Sequence, residues 1–71
     1  MKAQEFEAIK ANVSEFKGRQ VKWERYYPSA EKTVTEIGVF EKVGDGVNKE
    51  CIIISQRGKR FANHYSHVEM I

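Results

Sequence analysis

Glu50-Cys51-Ile52-Ile53-Ile54-Ser55-Gln56 holds the only four consecutive apolar residues in the chain, Cys51 to Ile54, and three of them are β-branched. Branched side chains are stiff at χ1 and pack well on a pleated surface, so the run is expected as a strand. Gly46 before it and Gly58 after it leave too little room for a buried helix. Successive side chains of a strand point to opposite faces, so all four leave water only if both faces are covered. The expectation is a strand in the middle of a small, curved sheet, roofed on at least part of its second face.

Upstream of this run, residues 2–17 are expected as one amphipathic helix. Phe6, Ile9, Val13 and Phe16 fall at spacings of three, four and three, which places them on one face. Gly18 is suited to the left-handed conformation that ends a helix, and Lys17 favours the negative end of its dipole. Residues 19–27 alternate as a strand, with Val21, Trp23, Arg25 and Tyr27 on one face and Gln20, Lys22, Glu24 and Tyr26 on the other. Pro28 ends it. A second strand is expected over residues 33–43. Thr35, Ile37 and Val39 share a face there, whereas Phe40 and Val43 break phase, and Gly38 marks the expected bulge or bend.

Gly44-Asp45-Gly46-Val47-Asn48-Lys49 is the clearest turn. It lacks the Gly-Lys-Ser/Thr ending of a phosphate loop, and a hairpin connection accounts for it. Downstream of the isoleucine run, Gln56-Arg57-Gly58-Lys59 makes a tight turn, residues 60–65 alternate again, and residues 67–71 form a short last strand after a break at Ser66. Strands in hairpin succession without a crossover helix make an antiparallel sheet. The expected class is α+β, mainly β: an N-terminal helix over residues 1–18, then a five-stranded, strongly bent antiparallel sheet over residues 19–71, in a single domain of 71 residues. Its expected form is a small, partly open barrel.

An N-terminal helix, a bent glycine-containing second strand, an apolar third strand and a short final strand resemble the Sm-like barrel of bacterial host-factor proteins, an SH3-like architecture. The chain is also similar to the YolD-like family, in which a helical stretch leads into a G-x-x-V-x-V-x-Y strand and a hydrophobic I-x-x-I end closes the chain. The matching residues are Gly18-Arg19-Gln20-Val21-Lys22-Trp23-Glu24-Arg25-Tyr26 and Tyr65-Ser66-His67-Val68-Glu69-Met70-Ile71. Both resemblances imply a fold. The RNA-binding residues of Sm proteins do not carry over. Asp45 and Asn48 sit in a longer turn than the Sm pattern has, Arg57-Gly58 lies a full strand too early, and Asn63-His64-Tyr65 replaces the Tyr-Lys-His element.

A chain of this length buries only about 60% of the surface it exposes when unfolded, so its stability is marginal unless something supplements it. The single cysteine, Cys51, excludes an internal disulfide, and with His64 and His67 it falls short of a structural zinc set. Association or unusually good packing remains, and self-association is the expectation of the two. Net charge is +2, with 31% charged residues and a mean hydropathy of −0.59. That balance neither demands nor excludes a polyanionic partner. Charges at Lys2, Glu5 and Glu7 interrupt any leader or membrane-spanning stretch, and the lone thiol fits a reducing compartment, so the cytoplasm is the expected location.

His64 and His67, three apart across a strand end, are expected to point different ways and not to share a metal. Carboxylates Glu24, Glu36, Glu41 and Glu50 are scattered as a solvated strand face would be, without an acid–base pair. Neither catalytic nor cofactor-binding residues are expected, nor a small-molecule substrate. The one suggestive constellation is basic and aromatic: Lys22, Arg25 and Tyr26 on the first strand, and Arg57, Lys59, Arg60, His64 and Tyr65 in and beyond the tight turn. Two functions compete for it. The chain is a protein-interaction or regulatory module that self-associates or docks on a partner, or it is a single-stranded RNA or DNA binder using stacking rings and a cationic track.

Overall fold

A computed structural model describes residues 1–71. The N-terminal segment forms two helical pieces, α1 (Ala3–Ala11) and a single turn, α2 (Val13–Phe16). Five strands follow: β1 (Gln20–Tyr27), β2 (Lys32–Val43), β3 (Glu50–Ser55), β4 (Arg60–His64) and β5 (Val68–Met70). Every pairing is antiparallel, and the strands lie in the order β4-β3-β2-β1-β5. The sheet does not close into a barrel. β4 and β5 remain its two edges, and α1 with the 3₁₀ turn Tyr65–His67 fills the gap between them. No helix is long and apolar enough to cross a membrane.

The expected single helix is interrupted at Asn12, whose backbone leaves the helical region at φ −137°, ψ 45°. Its amide nitrogen donates to the Ile9 carbonyl, three residues back, while its side-chain amide donates to the Ala8 carbonyl at 3.1 Å. Such a side chain offers the backbone an alternative to the helical ladder, and here the alternative wins. The break keeps Phe6 and Ile9 buried and leaves Val13 and Phe16 half-buried at the margin. Gly18 adopts the expected positive φ, +90°, but its N–H donates to the Phe40 carbonyl and so starts the sheet.

Registration corrects two further expectations. Gly38 lies in unbroken register, opposite Val21 on one side and Ser55 on the other. The shift falls between Phe40 and Lys42, with Glu41 as the extra residue. That bulge explains the phase slip in the sequence, because two intervening residues in place of one let both Phe40 and Val43 face the core. Secondly, β2 and not β3 is the central strand. Its twelve residues span both β1 and β3, and β3 is second from the edge.

The core follows from that arrangement. Phe6 and Ile9 of α1 pack onto Val21 and Trp23 of β1, Phe40 of β2, Cys51 and Ile53 of β3, and Val68 of β5. Phe6 stacks on Tyr65 with ring centroids 4.8 Å apart, and the Met1 ammonium donates to the Tyr65 and Val68 carbonyls. The isoleucine run is covered on this face alone. Ile53 and Cys51 are fully buried, whereas Ile52 and Ile54 point to the outer face, where no element lies over them. A nine-residue helix roofs one side of the five-stranded sheet, and no other element of residues 1–71 roofs the second.

Burial pushes the Cys51 thiol up from 9.0 to about 11, against a small opposing pull from the Met1 ammonium. Native Cys51 should therefore resist iodoacetamide at pH 8 and react once the chain is unfolded in guanidinium. Since the folded state holds this proton more tightly, the associated stability is complete below about pH 9 and lost as pH rises towards 11. A Cys51→Ala variant should lack that component of the alkaline fall, which urea titrations at the two pH limits would measure.

Candidate functional site

β1 and β2 outrun their neighbours. β5 pairs with β1 only from Val21 to Trp23, and β3 pairs with β2 only from Gly38 onward. Residues 24–37 thus form a two-stranded hairpin, turned by Pro28–Ala30 and by Glu31 at φ +48°, that pairs with nothing on either side. It lengthens the molecule to 39 Å against 22 and 21 Å in the other directions.

Between the inner face of this hairpin and the β3–β4 turn runs a groove of about 980 Å³. Trp23 and Phe61 floor it, meeting edge to face at 5.0 Å. Trp23 can lie there because its partner strand carries Gly38, with no Cβ beneath the indole. On the hairpin wall the Tyr27 hydroxyl donates to Glu36 Oε1 at 2.5 Å, and Arg25 sits over the Tyr27 ring at 5.3 Å with its guanidinium 4.0 Å from the same carboxylate. The Glu36 hydrogen bond raises the Tyr27 pKa above its ordinary value. On the opposite wall stand Arg57 and Lys59. Ser55 anchors their turn: its N–H donates to the Lys59 carbonyl, its Oγ accepts from the Lys59 N–H, and its carbonyl accepts from Gly58. Gly58 has φ +83°, which favours glycine there. No carboxylate lies within ion-pair distance of Arg57 or Lys59.

Of the residues singled out by sequence, the groove gathers Arg25, Arg57 and Lys59. The pleat sends Lys22 and Tyr26 to the outer face, where Lys22 lies 3.8 Å from Glu69 and Tyr26 is 58% exposed. Arg60 and His64 also face outward. Arg60 forks onto Glu41 through two bonds of 2.6 Å, which holds the Glu41 carboxyl below its usual range. His64 Nδ1 lies 2.8 Å from Ser66 Oγ and also accepts the Ser66 N–H, capping the 3₁₀ turn. That turn brings the His64 and His67 rings within 6.2 Å, closer than strand geometry suggested, with no third metal-ligand side chain beside them. Tyr65 is half-buried against Phe6.

Sequence reasoning missed the second notable surface. On the outer face Ile37 and Val39 of β2, both 37% exposed, adjoin Ile52 and Ile54 of β3, and Val39 stands directly opposite Ile54. The alternation Thr35-Ile37-Val39 carries the signal, but the expected roof over part of this face hides it. Around this stripe Lys22 meets Glu69 and Arg60 meets Glu41, while Lys42, opposite Ile52, has no carboxylate within ion-pair distance. No protein-family model matches this chain, and neither a curated protein nor a solved structure matches it.

Proposed function

We propose that this chain is a non-enzymatic interaction module that self-associates through the outer face of its sheet. The carrying observation is the stripe Ile37, Val39, Ile52 and Ile54, four branched apolar side chains on adjoining strands with no element over them. Apolar surface of this kind is stabilised by removal from water at roughly 25 cal/mol per Å², and contiguous exposed patches mark interaction sites. A second copy is a fitting occupant because the flanking pairs Lys22–Glu69 and Arg60–Glu41 are already satisfied, which leaves Lys42, opposite Ile52, as the unpaired cation that two facing copies must hold apart. A chain of this size, with eight residues in its buried hydrophobic core, also gains most from association.

Light scattering should give a mass above that of one chain, rising with concentration and persisting at high salt. Ile52→Glu, which places a carboxylate opposite Lys42, and Val39→Glu should each retain the strand-rich circular dichroism spectrum and weaken association by about tenfold or more, equivalent to about 1.4 kcal/mol. A parent protein that stays monomeric at millimolar concentration, or variants that associate like the parent, would overturn the proposal.

A further inference from the structure

We propose that the groove between the β1–β2 hairpin and the β3–β4 turn takes an extended acidic peptide, added as a strand along the free edge of β2 at Thr33 and Thr35. This surface is distinct from the outer apolar stripe and does not depend on it.

The free edge is a matter of backbone direction. Phe40 donates its N–H to the Arg19 carbonyl and accepts from Gly18, so its polar groups point to the β1 side. Alternation in an antiparallel ladder turns Gly38, Glu36 and Val34 the same way, and turns Thr33, Thr35 and Ile37 towards the opposite edge. β3 occupies that edge only from Gly38 onward. Beyond it, the N–H and C=O groups of Thr33 and Thr35 have no strand partner, and an isolated two-stranded ribbon is itself marginal in water. A third strand laid there continues the line of β3 past its turn. Main-chain bonds of this kind are how extended peptides join exposed sheet edges, with alternate side chains entering pockets.

Charge selects the peptide. Arg25, Arg57 and Lys59 border the groove against Glu24 and Glu36, and Glu36 already receives Tyr27 and Arg25. The same cations oppose the pairing of this edge with the same edge of a second copy, whereas carboxylates on an incoming strand would meet them in charge-assisted bonds. On the other side of the hairpin, the free edge of β1 is flanked by Lys22, Glu24 and Glu69, which leaves no cationic surplus. Single-stranded nucleic acid fits less well, because it needs open ring faces. Trp23 is 6% exposed, the Tyr27 ring lies under Arg25, and Tyr26, the most open ring, faces away from the groove.

The test uses a fluorescein-labelled peptide of about seven residues, alternating glutamate with threonine and valine, long enough to run beside the unpaired part of β2 at ~3.4 Å per residue. Its fluorescence anisotropy should rise with the full chain at low salt. Arg57→Ala and Arg25→Ala should each weaken binding about tenfold, as expected for loss of one charge-assisted contact, and in the amide spectrum Thr33 and Thr35 should gain exchange protection. Val39→Glu, on the outer face, should bind the peptide as the parent does even where it abolishes self-association, which separates this inference from the preceding one. Three results would each overturn the proposal: no binding at low salt, equal binding of a version N-methylated at alternate residues, or displacement of the peptide by equimolar oligouridylate. Equal binding after methylation would reduce the groove to a diffuse anion attraction. Displacement by oligouridylate would make it a nucleic-acid track.

Discussion

Gly38→Ala should destabilise this protein more than a methyl group added at any other glycine. A Cβ at Gly38 would stand 2.6 Å from the Ile54 carbonyl oxygen, 3.0 Å from Trp23 Cη2 and 3.1 Å from Ile53 Cγ2. The first of these is backbone, so β2 and β3 must separate or the carbonyl must tilt out of the ladder. The second is a ring at the floor of the groove, wedged between Gly38 and Phe61. Overpacking in well-packed interiors costs about 1–3 kcal/mol and sometimes more, and the top of that range is expected here because the obstruction cannot rotate away. A chain of this length holds roughly 4–11 kcal/mol of total stability. A loss of about 3 kcal/mol should lower Tm by ~12 °C or more. Gly58→Ala separates the steric cause from the conformational one. Nothing lies within 4 Å of the Cβ there, but φ is +83°, so its cost is the left-handed penalty of about 1–2 kcal/mol alone. Equal losses for the two variants in urea titrations would contradict the close approach at Gly38.

The same glycine shows where sequence stops informing the fold. Composition and alternation were enough for five strands, their turns and an antiparallel sheet, because apolar periodicity and Gly-rich turns are local signals. Gly38 was legible as special but not as to why. The phase slip beside it belongs to a bulge at Glu41, and a bulge is defined by two strands in register, which no single segment records. The helix break at Asn12 was hidden for a similar reason, since one asparagine in an apolar repeat is tolerated unless its side chain finds a backbone acceptor. In the site, the cations of the first strand and the tight turn were visible as a group. Which of them share a face depends on the pleat and on where each strand runs out of partners, and this admits Arg25 and excludes Lys22. Trp23 and Phe61 went unread as groove residues because aromatic residues in alternating strands ordinarily mean core, and here they are both.

Phe6→Ala is the second large effect, expected to cost about 3–5 kcal/mol, as for other fully buried aromatic residues. Phe6 is 1% exposed and stacks on Tyr65, and with Ile9 it is one of only two buried side chains that α1 presents to the sheet. A nine-residue helix has little stability of its own, so its presence depends on that packing. Truncating Phe6 removes half of the buried attachment and leaves the Met1 ammonium bonds to Tyr65 and Val68 to hold the segment. The roof should therefore lift before the sheet melts. Cys51, buried in the same cluster, reports the difference. If α1 detaches locally, iodoacetamide should label Cys51 roughly a hundredfold faster or more than in the parent, at urea concentrations where strand circular dichroism is unchanged. If labelling and loss of strand signal coincide, helix and sheet unfold as one unit and the expected order fails. Phe16→Ala supplies the comparison. That ring is half-buried at the margin beneath Arg19, whose guanidinium lies 4.7 Å from its centroid, and its removal should cost less and leave Cys51 protected. A larger loss at Phe16 than at Phe6 would move the anchor of the roof to α2, and Ile9 and Phe6 would then be covering residues only.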